Sequence, residues 1–268
     1  MAVTTDGSRF VFRGNAMPFG GRITDIAGTA VSKLIEGPPA SALTVAGGRS
    51  QSSTAGSSFE GIFKWGATSA ECTGVIQPDG HAETKVTSVM NTFSAKNDPI
   101  LFEVDLLKIS MLSDHPRKGQ PSIMPTEVIF GGSKGMFLNG KRIQVEVDDD
   151  LKSFPTLVNF ETEYRTKQTF YTKYSRRCRR PTAKAPTFGE RVPRVGGYVS
   201  TSIVRSITWN GKKIDGHVLS LTGFGRIYFG ELLMNENNRR LTMIRLVMGS
   251  SVKSEAACAE ADPNGSWD

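Results

Sequence analysis

The sequence predicts a mostly β protein, an antiparallel β-sandwich or barrel with Asn-Gly hairpins and one long basic loop. Three observations support this fold class. No window of about twelve residues has the clean i, i+3, i+4, i+7 apolar spacing of an amphipathic helix. Alternating patterns of period two recur instead, each bounded by Gly, Pro, Asn or Asp. The 28 glycines among 268 residues exceed the usual share, which favours many tight turns.

Residues 81–95 are the clearest predicted strand. Ala82, Val86 and Met90 share one face there and Lys85 lies on the other, because successive side chains of a strand point to opposite faces. Both faces are mixed in polarity. The other predicted strands occupy residues 9–14, 42–47, 59–65, 100–112, 126–131, 135–140, 142–148, 156–174, 198–209, 213–223, 226–234 and 239–248.

Two Asn-Gly dipeptides predict hairpins. Asn139-Gly140 and Asn210-Gly211 each separate two strand-like runs and are followed by two basic residues. A two-residue type I′ turn needs positive φ at both central positions, and Asn and Gly tolerate that conformation best. We therefore expect a tight, basic hairpin tip at each dipeptide.

We expect one β-rich domain over residues 1–252, with residues 1–130 and 131–252 as two packed halves within it. Residues 27–37 resemble a short helix that ends before two prolines. Residues 253–268 are acidic and poor in large apolar side chains, so they predict a flexible acidic tail.

The positive charge of the chain is concentrated in one segment. Residues 165–194 contain ten basic residues and one acid, so they carry +9; the net charge is +7, and the remainder therefore carries 7 − 9 = −2. Residues 171–186, termed the basic arm, are the centre of this segment. The residues predicted to contact a partner are Tyr171, Lys173, Tyr174, Arg176, Arg177, Arg179, Arg180 and Lys184.

The predicted strand at residues 156–174 leads into the basic arm. Its alternation would place Tyr174 on one face and Tyr171 and Lys173 on the other. Cations beside aromatic rings suit phosphate contact and base stacking. Cys178 stands among four arginines, which predicts that its thiolate form is favoured.

Three classes of function fit these observations. The first is a non-catalytic binding or assembly protein whose basic arm and hairpin tips contact an acidic protein surface or a second copy of the chain. The second is a nucleic-acid-binding β protein that uses the basic and aromatic residues of the arm. The third is a cofactor-free enzyme with a β-barrel cavity, whose catalytic residues would converge only in space.

No sequence motif indicates a cofactor or a metal. Cys72, Cys178 and Cys258 are widely spaced, which argues against a zinc site or a disulfide framework. The three histidines lack the spacing of a metal or nucleophile motif. Residues 148–150 are three consecutive aspartates that could bind a cation or pair with the basic arm.

Three Gly-rich segments, residues 19–23, 46–50 and 131–135, resemble phosphate-binding loops only in part. They lack the full GxxxxGK[ST] pattern and the following helix, so bulges or turns explain them better. Residues 1–21 lack the charged head and apolar run of a signal peptide, and no apolar run of about 18 residues occurs. We therefore expect a soluble cytoplasmic protein without membrane contact, although a signal-independent export route would leave no such mark.

Overall fold

The computed structural model describes residues 2–3, 9–35, 37–153, 155–175, 177–178, 187–249 and 251–268. The strands are β1 (Ala2–Val3), β2 (Arg9–Phe12), β3 (Asn15–Ile26), β4 (Thr29–Ile35), β5 (Ser41–Ala42), β6 (Gly48–Thr54), β7 (Ser57–Phe59), β8 (Phe63–Trp65), β9 (Thr68–Ile76), β10 (Ala82–Asn97), β11 (Ile100–His115), β12 (Ser122–Phe130), β13 (Met136–Leu138), β14 (Lys141–Val147), β15 (Arg194–Val195), β16 (Tyr198–Ser202), β17 (Val204–Trp209), β18 (Lys212–Asp215), β19 (Val218–Leu221), β20 (Gly225–Met234), β21 (Arg239–Met248), β22 (Val252–Asp262) and β23 (Gly265–Trp267). A short 3-10 helix (Asp149–Ser153) and the helices α1 (Leu157–Thr166) and α2 (Gln168–Tyr174) lie between β14 and β15. The predicted mostly β, antiparallel fold class is confirmed.

Two large antiparallel sheets pack face to face. Sheet I has the order β18-β17-β14-β13-β11-β10-β8-β7. In addition, β12 pairs with β11, β9 pairs with β10, and β6 pairs with β9. Sheet II has the order β15-β16-β20-β21-β22-β3-β4, with β19 on β20 and β5 on β3. A small third sheet joins β1, β2 and β23. The long strands β10 and β11 of sheet I lie over β22 and β3 of sheet II, so the main core is between them.

Aromatic rings join the two sheets at the centre of this core. Phe19 of sheet II packs against Phe63, Trp65 and Phe93 of sheet I, with ring centroids 5.0 to 5.5 Å apart. All four side chains are at most 3% exposed. Burial of such large apolar side chains removes them from water and is the main favourable contribution to folding.

Both Asn-Gly dipeptides form two-residue turns between paired strands. Asn139 and Gly140 have φ values of 49° and 71°, and Asn210 and Gly211 have 51° and 73°. In each hairpin the residues on either side of the dipeptide pair directly. Positive φ at both central positions is the requirement of a type I′ turn, whose twist matches that of the strands.

The predicted strand at residues 156–174 is wrong, because the chain forms α1 and α2 there. The side chain of Thr156 caps α1 by accepting the backbone N–H of Asn159 at 3.1 Å. Leu157, Phe160 and Tyr164 follow helical spacing and are all buried. The alternation seen in the sequence coincided with this helical pattern, and packing of the helical face decided between them.

The predicted flexible tail at residues 253–268 is also wrong. β22 lies between β21 and β3 in sheet II, and β23 pairs with β2. Ala256, Cys258 and Ala261 are at most 1% exposed, while acids such as Glu255 alternate with them on the outer face. Small side chains fill the narrow space below a central strand, so the lack of large apolar residues did not indicate mobility.

The helix predicted at residues 27–37 is replaced by the edge strand β4, which pairs with β3. Its β-branched residues, among them Val31 and Ile35, suit a strand better than a helix. Within the described part of the chain, no helix has the length and apolarity to cross a membrane.

Candidate functional site

The start of the basic arm is held by a buried carboxylate. Asp148, which directly follows β14, accepts hydrogen bonds from Lys173 Nζ at 2.8 Å, Tyr174 Oη at 3.0 Å and Arg177 Nη1 at 2.7 Å. The side chains of Asp148 and Arg177 are 2% and 5% exposed. Lys173 also pairs with Asp150 at 2.5 Å. Of the two alternatives left open for residues 148–150, Asp148 and Asp150 thus adopt the pairing with the basic arm.

Burial and charge act in opposite directions on Asp148. Burial alone would raise the pKa of this carboxyl, but the hydrogen bonds from Lys173 and Arg177 outweigh it and hold the pKa below its ordinary value. Burial beside the same carboxylate raises the pKa of Tyr174. The cluster thus consists of a charged carboxylate, two cations and a neutral phenol, which anchors α2 to sheet I.

The predicted contact residues fall into three groups. Lys173, Tyr174 and Arg177 belong to this internal cluster, and the fully buried ring of Tyr174 lies under the Arg177 guanidinium at 4.6 Å. Tyr171 packs edge-on against Phe188 at 5.5 Å. The remaining predicted contact residues lie outside the described residues: Arg176, Arg179, Arg180 and Lys184.

The predicted activation of Cys178 is wrong. Its side chain is buried in the core cluster, and this burial raises the pKa of its thiol to about 12. Burial likewise raises the pKa of Cys72 to about 11. Loss of hydration disfavours a thiolate more than the neighbouring arginine favours it, so Cys178 packs as an apolar side chain.

The two Asn-Gly hairpin tips lie side by side at one end of sheet I. β14 pairs with β17, and Lys141 Nζ donates a hydrogen bond to Asn210 Oδ1 at 3.0 Å across the two tips. The tips carry four exposed cations, termed the tip cluster: Lys141, Arg142, Lys212 and Lys213.

Only one member of the tip cluster has an ion pair in the described part of the chain. Lys213 lies 3.0 Å from Glu146, which also binds Ser206 and Arg205. The hydrogen bond from Ser206 makes the largest contribution, and together with those from Arg205 and Lys213 it lowers the pKa of Glu146 to about 2. The tip cluster therefore has more positive than negative charge.

A second feature of sheet I is a crease across its strands. At one level β10 changes its partner from β9 to β8, and β11 changes from β12 to β13. Gly66 N–H donates to the carbonyls of Asn91 and Thr92 at 2.9 Å, and Asp105 N–H donates to Gly135 at 3.0 Å. Thr92 has φ of 46°, which is unusual for a β-branched residue.

The crease forms a cavity of about 570 Å³ on the outer face of sheet I. A row of directly opposed residues, Lys64, Ser94, Glu103 and Phe137, crosses it. Beside the row, Asp105 accepts hydrogen bonds from Ser133 Oγ at 3.4 Å and the Lys134 backbone N–H at 3.1 Å.

The Gly-rich segment at residues 131–135 therefore binds an anion of its own chain. It surrounds the Asp105 carboxylate and connects β12 to β13. Gly131, Gly132 and Gly135 all have positive φ, as a tight turn requires. The prediction that this segment is a turn is confirmed.

The histidines do not gather into one site. His81 lies 3.2 Å from Asp114 at the surface, whereas His115 is 4% exposed and hydrogen-bonds to Ser113. Burial lowers the pKa of His115 and of His217 to about 4. Within the described ranges, no three His, Cys, Asp or Glu side chains are grouped as a metal ion requires.

Sequence reasoning missed both the contact between the hairpin tips and the crease. The tips meet because β14 pairs with β17, a long-range pairing that no local pattern reports. The Gly66-Ala67 interruption between β8 and β9 was the one available signal for the crease, since Gly within a strand pattern often marks a bulge.

Comparison with known families places the chain in one of them. A protein family described as "Domain of unknown function (DUF8256)" matches residues 10–235. This match covers most of the chain, which therefore belongs to that family. No curated protein and no solved structure matches the chain.

Proposed function

We propose that this member of the DUF8256 family is a non-catalytic binding protein whose tip cluster and basic arm hold an acidic surface of a partner protein. The observation that carries the proposal is the contact between the two hairpin tips, which gathers Lys141, Arg142, Lys212 and Lys213 at one end of sheet I. Clustered exposed cations attract an acidic partner and speed its association.

The spacing of the two basic regions supports a protein partner. The tip cluster lies at the start of β14, and the basic arm begins at the Asp148 cluster just after its end. β14 has seven residues, so the two basic regions are roughly 23 Å apart. This distance is comparable to the width of a standard protein interface and is greater than the length of most small ligands.

The anchor of the arm also supports the proposal. Arg177 and Lys173 pair with Asp148, so the described part of the arm is fixed to the end of β14. The sequence then continues with Arg179, Arg180 and Lys184 and has no acid before Glu190. In the sequence, further positive charge therefore follows directly after the anchored residues.

Nucleic acid is the alternative partner, and one observation counts against it. Sequence-independent binding of single strands combines cations with exposed aromatic rings on which bases stack. The ring of Tyr174 is fully buried beneath Arg177, so it is out of reach of a base. Charge rather than stacking is the principal feature of this surface.

A binding titration tests the proposal. Fluorescent poly-L-glutamate and a dT20 oligonucleotide are titrated at low salt into the wild type and into Lys141→Gln/Lys212→Gln. The matched control is Lys85→Gln/Lys118→Gln, which removes two exposed lysines elsewhere on the surface. We expect the wild type and the control to bind polyglutamate, and the tip variant to bind at least tenfold more weakly.

Two results would overturn the proposal. Equal binding of polyglutamate by the tip variant and the control would show that the tips are not the contact. Tighter binding of dT20 than of polyglutamate would favour the nucleic-acid alternative. Light scattering on the free protein tests self-association. A concentration-dependent oligomer would show that the partner is a second copy of the chain and not a different protein.

A further inference from the structure

The cavity at the crease is a built feature of sheet I. Thr92, with its φ of 46°, lies at the level where β10 changes its partner from β9 to β8. Gly66 is necessary there, because a Cβ at this position would lie 2.4 Å from Thr92 Oγ1 and 2.5 Å from the Asn91 carbonyl oxygen. Backbone strain of this type often accompanies ligand binding.

The charged side chains of the cavity balance one another. Lys64 and Lys134 supply two positive charges, and Glu103 and Asp105 supply two negative charges. An anionic ligand would meet the carboxylates and a cationic ligand the ammonium groups. The cavity therefore suits a neutral ligand that both donates and accepts hydrogen bonds.

Most of these charged groups are free to bind such a ligand. In the described part of the chain, Lys64 Nζ, Lys134 Nζ and the Glu103 carboxylate have no ion-pair partner, whereas Asp105 is oriented by the loop around it. Ser94 lies between Lys64 and Glu103 in the row and adds a hydroxyl that donates and accepts.

The row also has an apolar end and an extended shape. Phe137 lies directly opposite Glu103 on the next strand and is partly exposed. Three strand spacings separate Lys64 from Phe137, which is roughly 14 Å. The cavity volume of about 570 Å³ lies within the range of small-molecule sites.

We propose that the crease cavity binds a neutral carbohydrate chain. Sugar hydroxyls donate to Glu103 and accept from Lys64 and Lys134, and the C–H face of a sugar ring packs on Phe137. The length of the row suits an oligosaccharide better than a single sugar. This site is separate from the tip cluster and does not depend on it.

The test is an NMR titration of the full chain with maltohexaose, cellohexaose and chitohexaose, and with trigalacturonate as an anionic comparison. The variants are Lys64→Met and Glu103→Gln. Lys85→Met and Glu83→Gln are the matched controls, because both residues lie on the outer face of the same sheet away from the cavity. Far-UV circular dichroism checks that each variant is folded.

We expect at least one neutral hexasaccharide to shift the amide signals of Thr92, Ser94 and Lys134 saturably. Its affinity should fall at least tenfold in each cavity variant and stay unchanged in the controls. The proposal is overturned if no neutral hexasaccharide shifts these signals. Undiminished binding by both cavity variants, or tighter binding of trigalacturonate, would overturn it equally.

Discussion

Asp148 joins the helical segment to the sheets. Replacing it with Ala would leave the guanidinium of Arg177 buried without its partner, and breaking a buried ion pair in this way costs about 3–5 kcal/mol. We expect Asp148→Ala to lower the free energy of unfolding, measured by urea denaturation, by that amount. Asp215→Ala removes an exposed carboxylate and should change it by less than about 0.5 kcal/mol. A similar small change in both variants would contradict this role.

Two histidines, the buried His115 and the half-buried His217, make the fold sensitive to acid. Burial lowers the pKa of His115 and of His217 to about 4, below the ordinary value of 6.5. The neutral forms therefore contribute stability that is full above pH 6.5 and is lost as the pH falls towards 4, roughly 3 kcal/mol for each histidine. Asp262 acts in the opposite direction, because burial raises its pKa to about 6.

We expect the unfolding free energy of the wild type to fall between pH 6.5 and pH 4, since two histidines outweigh one carboxyl. Urea denaturation at several pH values measures this slope. His217→Gln removes one titrating group and should flatten the curve. An identical slope in the variant and the wild type would show that His217 does not titrate with folding.

At the level of single residues, the sequence predicted what depends on local chemistry. The Asn-Gly turns follow from the φ preferences of two neighbouring residues, and the pairing of Asp148 with Lys173 follows from opposite charge. Cys178 was misjudged because the pKa of a thiol depends on burial. Burial is set by the packing of distant segments and is not visible in flanking arginines.

Gly66 determines the bend of the β8–β10 element. Gly66→Ala would place a Cβ 2.5 Å from the carbonyl oxygen of Asn91. The backbone at the crease must then shift, and we expect the free energy of unfolding to fall by about 1–3 kcal/mol. Gly249→Ala is the matched control, because a Cβ there meets nothing within 4 Å. Thermal denaturation compares the two variants. Equal melting temperatures would show that the close approach at the crease has no energetic weight.

Truncation of the C-terminal strands tests whether residues 253–268 belong to the folded domain. A chain that ends at Gly249 lacks β22, which leaves β21 and β3 without a shared partner in sheet II. We expect that chain to be insoluble or to lack a cooperative unfolding transition. A chain that ends at Asp262 loses only β23 and should fold with reduced stability. If the shorter chain unfolds cooperatively like the wild type, β22 is dispensable.

The type of element could be predicted where the sequence pattern was unambiguous. The prediction failed where an alternating and a helical spacing overlapped. The long strand at residues 81–95 was predicted almost to its ends, since β10 is Ala82–Asn97. Residues 156–174 contain the alternation of a strand, and the helical spacing of Leu157, Phe160 and Tyr164 overlaps it over too few residues to fill a window of about twelve. The N-terminal cap at Thr156 was a helix signal in the sequence that the strand interpretation overlooked.

At the scale of the whole molecule, the two surfaces proposed to bind ligands arise from pairings between distant strands. The tip cluster needs β14 beside β17, and the crease needs the two strands β10 and β11 to change partners at one level. The pairing of β14 with β17 leaves no local trace in the sequence, and the crease leaves only the Gly66-Ala67 interruption. Charge in the sequence pointed to the basic hairpin tips, but the contact between the two tips could not be predicted from it.

The measurement that tests the proposed function most directly is an NMR titration of the full chain with poly-L-glutamate. We expect the largest amide shifts at Asn139, Lys141, Asn210 and Lys212, with a second set at Arg177 and Cys178 within the basic arm. Increasing salt should weaken both sets together. Shifts confined to other parts of either sheet, or none at either end of β14, would contradict the account.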